Sequence, residues 1–285
     1  MISWEPAAMD KNLLDKLYRS FLREDIGRGD LTSEAIFPSD QMGRADIVAR
    51  EPFIVAGAKL IAARVFKAQN PKIEIIDPVE DGNAVSTGDV VLTVEGPVID
   101  LLKAERTALN LLQRISGIAT FTSLYVNRIR DYKVRICDTR KTTPGLRMLE
   151  KYGVMVGGGS NHRFNLTDGI LIKDNHIAAC GSIKAAVERV RERVPHTIKI
   201  EVETDTLDQV RECLACGVDI ILLDNMKPPM LREAVELIDG RALVEASGGI
   251  VLANLEEVAK TGVDIISIGA LTHSAPACDI GMDWA

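Results

Sequence analysis

One short segment concentrates residues that can bind and transform an anionic ligand. Residues 157–176 read GGGSNHRFNLTDGILIKDNH, so three glycines run into His162 and Arg163, and an apolar run then ends at Lys173. Glycine lets a backbone approach a ligand closely, Arg offers a planar fork to carboxylates or phosphates, and Lys offers a compact charge. The segment therefore predicts an anion-binding site.

Further cations enlarge this candidate site. Arg140 and Lys141 follow another apolar segment, and Arg106 lies on a helical stretch that precedes it. The whole chain is acidic, with 34 Lys and Arg against 41 Asp and Glu and a net charge of −7. Because this balance argues against a nucleic-acid surface, the cations form a local cluster, and such a cluster predicts a ligand with several negative groups.

Serine and glycine end two neighbouring apolar segments, EASGG at 245–249 and ISIGA at 266–270. Glycine exposes backbone N–H groups and serine adds a hydroxyl donor, a combination that binds phosphate in β/α barrels. The candidates for holding a terminal phosphate are Ser247, Gly248, Gly249, Ser267 and Gly269.

Two carboxylates complete the set of candidate residues. In TIKIEVE (197–203), period-two alternation places Lys199, Glu201 and Glu203 on the face opposite the apolar residues. We expect this charged face to point into a barrel, with Lys199 paired to Glu201 and with Glu203 at the rim. Glu203 and Asp224 can hold Mg²⁺ directly or through water, contact ribose hydroxyls, or stabilise a developing positive charge.

A sugar phosphate or diphosphate suits these groups, and other ligand classes lack their signatures. The chain has no Cys/His set with zinc spacing, no dinucleotide-binding or Walker glycine loop, no serine elbow and no apolar run of membrane-spanning length. Its five cysteines and the polar start MISWEPAAMDKN predict reduced thiols in a cytoplasmic protein. For Cys213 and Cys216, at a predicted helix end, we expect a packing role.

The elements that must position these residues alternate regularly in the second half of the chain. Strand-like segments, separated in the later part by amphipathic helices, lie at 134–140, 169–175, 197–203, 219–225, 242–247 and 264–269. A further strand is expected near Gly153–Val156. The alternation predicts right-handed parallel β/α units in a closed or nearly closed barrel, with an open doubly wound sheet as the alternative. In a barrel, the candidate residues gather at the carboxyl ends of the strands.

The first part of the chain has a different pattern. A helix is predicted from Lys11 to Glu24, and GRGDLTSE (27–34) breaks it. Strand-like segments follow, and they indicate a mixed sheet with helices on one face: ADIVARE, FIVAG, PKIEIID and DVVLTVEG. The stretch Leu101–Asp131 is helical, and we expect two helices that meet near Ser116-Gly117.

Several motifs resemble those of the quinolinate phosphoribosyltransferase family. The longest are DTRKTTPG (138–145), GGGSNHR (157–163) and LIKDNH (171–176). The similarity includes EDIGRGD (24–30), ERTALN (105–110), IEVE (200–203) and the two serine–glycine segments, so it covers almost the whole chain.

This resemblance implies a type II phosphoribosyltransferase of the α/β class. An N-terminal α/β sandwich would span residues 1–110, joined by a returning C-terminal tail at 273–285, and an incomplete parallel α/β barrel would span 111–272. The protein would be a homodimer or a higher homo-oligomer, with its active site at the subunit boundary. The implied reaction uses Mg²⁺ and joins quinolinate to phosphoribosyl pyrophosphate. It releases pyrophosphate and CO₂ and gives nicotinate mononucleotide for NAD synthesis.

The resemblance also implies roles for particular residues. The two quinolinate carboxylates and the diphosphate would be surrounded by Arg140, Lys141, His162, Arg163 and Lys173, and Arg106 would reach in from the neighbouring subunit. Glu203 and Asp224 would face the ribose hydroxyls and Mg²⁺. The 5-phosphate would be held by Ser247, Gly248, Gly249 and Gly269. The expected catalytic residues are Lys141, Lys173, Glu203 and Asp224.

Three other functions are weighed against this one. A paralogue of the same fold, linked to molybdenum uptake and acting on another base, departs from the full Lys-Asp-Asn-His motif that this chain keeps. A barrel aldolase would form a Schiff base through Lys173, which requires a desolvated lysine. A non-catalytic sensor would bind the same polyanion without turnover.

Overall fold

The computed structural model describes residues 11–284, which fold as two compact units. The first unit contains the chain up to Phe121 together with Met148–Gly157 and Ser274–Ala285, and the second contains Thr122–Arg147 and Gly158–His273. The expectation that the chain start is not an export signal concerns mainly residues 1–10, which lie outside the described part. None of the described helices is both long enough and apolar enough to cross a bilayer.

The helices and strands have the following bounds. The α-helices are α1 (Lys11–Ile26), α2 (Leu31–Ile36), α3 (Ala63–Gln69), α4 (Val98–Arg128), α5 (Arg147–Val156), α6 (Asp174–Cys180), α7 (Ile183–Arg191), α8 (Leu207–Cys216), α9 (Pro228–Ile238), α10 (Leu255–Ala259) and α11 (Ala270–His273). A π-helical turn, Ala58–Ala62, leads into α3. The strands are β1 (Met42–Ala49), β2 (Phe53–Ile54), β3 (Glu74–Ile76), β4 (Ala84–Val85), β5 (Val90–Pro97), β6 (Arg135–Cys137), β7 (Ile170–Ile172), β8 (Ile200–Thr204), β9 (Ile220–Asp224), β10 (Leu243–Ser247), β11 (Ile265–Ser267) and β12 (Ile280–Trp284).

The first unit is built on an antiparallel sheet with the strand order β12-β1-β5-β3. The C-terminal strand β12 pairs with β1, with Ala45 opposite Trp284 and Ala49 opposite Ile280. Helix α1 buries Leu14, Tyr18 and Leu22, which recur at helical spacing on one face. The short strands β2 and β4 pair with each other, with Phe53 opposite Val85 and Ile54 opposite Ala84.

The GRGDLTSE segment contains a helix start that the sequence analysis missed. Gly27 adopts a φ of +58° after α1, and α2 then begins at Leu31. The Asp30 carboxylate accepts hydrogen bonds from the backbone N–H groups of Thr32 and Ser33, each at 3.1 Å. Asp30 is therefore an N-cap, and the segment ends one helix and starts another.

The expected break near Ser116-Gly117 is wrong, because α4 is one continuous helix of 31 residues. Gly117 instead permits a close approach of two backbones. A Cβ atom there would overlap the carbonyl oxygen of Pro276 and lie 3.1 Å from Cα of Ala277. Glycine in this helix interior is explained by packing, despite its low helix propensity.

The second unit contains six parallel strands in the order β6-β11-β10-β9-β8-β7, and all six are predicted segments. Strands β7 to β11 lie side by side in chain order, and the first strand, β6, pairs with the last, β11. This winding in one direction is that of a barrel, whereas a doubly wound sheet reverses its strand order at an internal point. The doubly wound alternative is therefore wrong.

The barrel is incomplete between β6 and β7. Next to β6, Ser160 forms an isolated parallel bridge with Cys137. The seventh strand expected near Gly153–Val156 is wrong, because these residues end α5. A Cβ atom at Gly153 would lie 2.9 Å from the carbonyl oxygen of Ile115, so this glycine also marks close helix packing. The predicted α/β class with an incomplete parallel barrel is confirmed.

Helix caps set the ends of the elements around the barrel. The Ser182 hydroxyl accepts from the N–H of Ala185 at 3.1 Å at the start of α7, and Gly217, with a φ of 64°, ends α8. Cys213 is buried within α8, where burial raises the pKa of its thiol to about 12. Its position is that of a packed helix residue.

Candidate active site

A cavity of about 700 Å³ lies at the carboxyl ends of the barrel strands. All the predicted site residues of the second unit line it: Arg140, Lys141, His162, Arg163, Lys173, Glu203, Asp224, Ser247, Gly248, Gly249, Ser267 and Gly269. This convergence follows from parallel strand topology, which brings every carboxyl end to one side.

Arg106 is placed elsewhere in the chain. It lies on α4 in the first unit, where it is exposed and its Nη2 is 3.1 Å from Oε1 of Glu105. Four other polar residues line the cavity without having been predicted as site residues: Thr139, Asn225, Glu245 and His273.

Asp138 fixes the loop that carries His162 and Arg163. Its side chain is fully buried, and it accepts hydrogen bonds from Nδ2 of Asn161 at 2.6 Å and from the backbone N–H of His162 at 2.9 Å. Bonds to a buried carboxylate are strong, and losing one leaves an expensive unpaired group. Asp138 was not among the predicted site residues, although it is the first residue of the DTRKTTPG motif. The signal that could have identified it is an acidic residue directly after the apolar strand β6.

Hydrogen bonds also fix the tautomer of His162. Its Nδ1 accepts from the backbone N–H of Arg163 at 2.8 Å, which leaves Nε2 as the nitrogen that can donate. Nε2 lies 3.1 Å from Oε2 of Glu201 and 3.8 Å from Oε1 of Glu245. The Nε2 side of the ring therefore faces two buried carboxylates.

These carboxylates, Glu201 and Glu245, form what we call the inner acid pair. They are 4% and 2% exposed, respectively. Each precedes a rim residue by two positions, so side-chain alternation places it on the same inward face, roughly 7 Å deeper along the strand. The expected pairing of Lys199 with Glu201 is wrong: Lys199 is exposed, and Glu201 faces His162 instead.

The inner acid pair has an unusual electrostatic environment. Oε1 of Glu201 and Oε1 of Glu245 have no hydrogen-bond partner among the described residues. Burial raises the pKa of Glu245 to about 7, and the charge of Glu201 contributes in the same direction. The opposing influences of His162, Ser267 and Lys173 are smaller than burial. Two adjacent buried carboxyl groups disfavour a second negative charge.

At the rim, Lys173 forms an ion pair with Glu203 on the neighbouring strand. The Lys173 side chain is 46% exposed, and that of Glu203 is 14% exposed. The backbone N–H of Lys173 donates to Nδ1 of His176 at 2.9 Å, which holds the turn between β7 and α6. The ammonium group is thus positioned at the cavity wall, where an incoming anion can reach it.

Arg140 and Arg163 bring two guanidinium groups to the same wall. Nε of Arg140 is buried and has no hydrogen-bond partner among the described residues, while Nη1 of Arg163 donates to the carbonyl of Gly169 at 2.9 Å. Burial lowers the pKa of Arg163, and the neighbouring Arg140 charge lowers it further. Two partly desolvated cations side by side favour an anionic ligand between them.

The serine–glycine end of β10 depends on glycine for a steric reason. Gly248 has a φ of +90°, and a Cβ atom there would overlap Oδ1 of Asn225 and lie 2.9 Å from its backbone N. Asn225 in turn donates through Nδ2 to Oδ2 of Asp224 at 2.6 Å. At Gly249, with a φ of +60°, an added Cβ would meet no atom within 4 Å. The two glycines thus have different spatial requirements.

The end of β11 is similarly close to its neighbours. A Cβ atom at Gly269 would lie 2.9 Å from Cδ of Lys141 and 3.3 Å from Nε2 of His273. The Thr272 hydroxyl donates to the carbonyl of Lys141 at 2.8 Å, which ties the β6 and β11 loops together. Glycine here leaves room for the Lys141 side chain to cross the strand end.

A second cavity, of about 350 Å³, lies on the other side of the inner acid pair. His162, Arg163 and Glu245 line both cavities, whereas Glu201 lines only the second one. Lys199, just before β8, also lines the second cavity, so this cavity reaches toward the amino ends of the strands. Glu245 therefore stands between the two spaces.

Sequence comparisons cover both halves of the chain. The pattern described as "Quinolinate phosphoribosyl transferase, N-terminal domain" matches residues 30–116, and the one described as "Quinolinate phosphoribosyl transferase, C-terminal domain" matches residues 118–283.

Individual relatives agree with these matches. The chain is 49% identical over 270 residues to "Probable nicotinate-nucleotide pyrophosphorylase [carboxylating]" of Bacillus subtilis, covering 95% of this chain and 93% of the relative. It is 45% identical over 272 residues to "Nicotinate-nucleotide pyrophosphorylase [carboxylating]" of Mycobacterium leprae, covering 93% and 95%. The crystal structure of NadC from Streptococcus pyogenes superposes with a TM-score of 0.92 at 40% identity, covering 97% of this chain and 99% of that one.

Proposed function

The chain belongs to the quinolinate phosphoribosyltransferase family, and we propose that it transfers the phosphoribosyl group of phosphoribosyl pyrophosphate to quinolinate. Pyrophosphate and CO₂ leave, and the product is nicotinate mononucleotide, a precursor of NAD. The observation that carries this proposal is the single cavity in which four Arg and Lys side chains, rim carboxylates and two serine–glycine strand ends meet.

The negative groups of the two substrates match the positively charged and hydrogen-bonding groups of the cavity wall. Quinolinate carries two carboxylates, and phosphoribosyl pyrophosphate carries a diphosphate and a 5-phosphate. We assign the carboxylates and the diphosphate to the side of the cavity formed by the cations Arg140, Lys141, Arg163 and Lys173 together with His162. The 5-phosphate then falls to the serine–glycine ends, formed by Ser247, Gly248, Gly249, Ser267 and Gly269. The unpartnered Nε of Arg140 supports the cationic assignment, because a buried donor requires an acceptor.

The transfer step needs opposite charges on the two sides of the ribose. The pyridine nitrogen attacks the ribose carbon as the diphosphate leaves, and positive charge develops on the sugar. Glu203 and Asp224 are the rim carboxylates that would stabilise this charge, while Lys141 and Lys173 would stabilise the departing diphosphate. No covalent enzyme intermediate is required.

The carboxylates at the rim also fit Mg²⁺. Glu203 and Asp224 end neighbouring strands β8 and β9 and line the cavity, and Mg²⁺ typically uses one or two carboxylates together with substrate oxygens and water. We therefore assign the ion to these two residues, directly or through water. When bound, Mg²⁺ neutralises charge on the diphosphate.

Assembly and location follow from the family assignment as further proposals. Arg106 is exposed on α4 in the first unit, which leaves it available to the cavity of a partner subunit in a homodimer or higher homo-oligomer. We also propose a cytoplasmic location, where both substrates of a biosynthetic transferase are at hand.

The alternative functions have weaker support. Nothing in the comparisons favours the molybdenum-linked paralogue. Lys173 is ion-paired and partly exposed, whereas a Schiff-base lysine is activated by desolvation or by a neighbouring cation. A sensor would bind the same polyanion but would have no use for rim carboxylates placed against a developing positive charge.

The decisive assay combines purified protein, quinolinate, phosphoribosyl pyrophosphate and Mg²⁺, and follows nicotinate mononucleotide and CO₂ together. We expect equal amounts of both, with no product after chelation of Mg²⁺. Reaction of nicotinate but not quinolinate would remove the acceptor assignment and leave the phosphoribosyl site intact. The absence of any product with any base would contradict transferase activity.

A further inference from the structure

We infer that Glu245 delivers the proton that replaces the departing CO₂ on the pyridine ring. This inference rests on the proposed function, because it concerns the second half of that reaction. It assigns a catalytic role to a residue that lies beneath the rim and outside the groups that bind the substrate charges.

The chemistry requires such a donor. After transfer, the ring nitrogen bears a positive charge, and the bond between ring carbon 2 and its carboxylate breaks. The electron pair stays on carbon 2, next to the cationic nitrogen, while CO₂ leaves. Carbon 2 then takes the proton of the Glu245 carboxyl group, a C–H bond forms, and Glu245 is left as a carboxylate. A proton from water restores the acid.

The position of Glu245 suits this step. It lines the same cavity as Arg140, Arg163 and Lys173, yet the residue is only 2% exposed. It therefore forms part of the floor beneath the cations that would hold the ring carboxylates. Because Glu245 also lines the second cavity, a proton can be returned from the side that the substrate does not fill.

The surroundings of Glu245 favour the protonated acid. Glu201 faces it from β8, His162 and Arg163 from the loop between α5 and β7, Lys173 from the end of β7 and Ser267 from β11. Two buried carboxyl groups share the space, and burial raises the pKa of Glu245 to about 7 against the smaller opposing influences of His162, Ser267 and Lys173. The other cavity carboxylates accept hydrogen bonds, Glu203 from Lys173 and Asp224 from Asn225.

Two other roles for this cluster fit the geometry less well. His162, Glu201 and Glu245 offer ligand atoms within 4.8 Å of one another, as a metal site would. However, an imidazole that binds a metal through Nε2 normally donates a proton from Nδ1, and here Nδ1 accepts from the N–H of Arg163. The other role is proton donation by His162, but its Nε2 lies 3.1 Å from Oε2 of Glu201, which does not line the substrate cavity.

The test separates transfer from decarboxylation in single-turnover experiments. Glu245→Gln keeps the size and removes the acid, so we expect pyrophosphate release to stay within a few-fold of the parent while CO₂ release falls by about 100-fold or more, within the range for loss of a general acid. The carboxylated nucleotide should then accumulate. Glu245→Asp keeps an acid but shortens its reach by one methylene. Its rate of CO₂ release should therefore lie between those of the parent and of Glu245→Gln.

Glu201→Gln is the matched control, because it changes the other member of the inner acid pair and leaves Glu245 in place. At a pH below the limb described next, it should retain one CO₂ per pyrophosphate. The Glu201 charge raises the pKa of Glu245, so its removal should lower that pKa. Because Glu245 must be protonated to act, CO₂ release should fall as pH rises through about 7 in the parent, and this limb should move to lower pH in Glu201→Gln.

Two results would overturn the inference. One is unchanged CO₂ release in Glu245→Gln, and the other is an equal loss of pyrophosphate and CO₂ release, which indicates a structural role only. Failure of the proposed function is distinguishable, because the unaltered protein would then form no pyrophosphate from quinolinate.

Discussion

Neighbouring glycines at the end of β10 allow the steric basis of the phosphate-binding loop to be tested. We predict that Gly248→Ala destabilises the protein and weakens phosphoribosyl pyrophosphate binding. Both effects should be smaller in Gly249→Ala. Both residues have positive φ, +90° and +60°, so both variants carry the backbone penalty of a side chain in the left-handed region. Only at Gly248 does the added Cβ collide with another residue, Asn225.

The magnitudes follow from these two contributions. The backbone penalty is about 1–2 kcal/mol for either variant. Overpacking adds about 1–3 kcal/mol at Gly248, because the collision involves the backbone N of Asn225 as well as the end of its side chain. Asn225 donates to Asp224, so its displacement also disturbs a rim carboxylate. We therefore expect losses of about 2–5 kcal/mol for Gly248→Ala and about 1–2 kcal/mol for Gly249→Ala.

Thermal unfolding and steady-state kinetics measure both consequences. A loss of 1 kcal/mol lowers the midpoint of a domain of this size by roughly 2–4 °C, so the two variants should be separable. The KM for phosphoribosyl pyrophosphate should rise more in Gly248→Ala. Equal midpoints and equal KM values in the two variants would refute the steric argument and leave only the backbone penalty.

Three further predictions concern other parts of the structure. Arg140→Ala, tested alongside Lys173→Ala, should abolish turnover with the fold retained, as judged by product formation and circular dichroism; near-normal activity in both would remove the cationic site. Asp138→Asn should raise the KM for quinolinate by about 10-fold or more, since the loss of one charge-assisted bond is worth about 1.5–3 kcal/mol, and an unchanged KM would show that Asp138 does not position His162. Gly117→Ala should lower the thermal midpoint without a direct effect on substrate contacts, because its Cβ would overlap the carbonyl oxygen of Pro276; an unchanged midpoint would mean that α4 adjusts freely.

The sequence predicted the barrel strands and the rim residues for a physical reason. Buried parallel strands appear as short apolar runs, and the polar residue that ends each run must lie at the carboxyl edge. Lys173, Glu203, Asp224 and Ser247 were therefore identifiable from their positions relative to those runs. The order of the strands, with β6 against β11, needed the structure, because local sequence does not encode which edges pair.

The glycines and the inner acids were harder to interpret. Gly117 looked like a helix break and Gly153 part of a strand, because a sequence does not reveal which distant backbone approaches them. Glu201 alternated correctly onto the inward face, but its partner was a histidine from a distant loop and not the adjacent Lys199. Contacts between residues far apart in the chain decide such cases.

The inner acid pair is difficult to explain by stability alone. Burying a carboxyl group without a full set of hydrogen bonds costs free energy, and placing a second one beside it adds repulsion. Both members nevertheless lie inside the barrel, on β8 and β10, which flank β9, and each keeps an oxygen without a hydrogen-bond partner among the described residues. A well-packed hydrophobic residue at either position would make the barrel core more stable. The pair therefore makes sense as chemistry retained at the expense of packing, and only Glu245 of the two lines the substrate cavity.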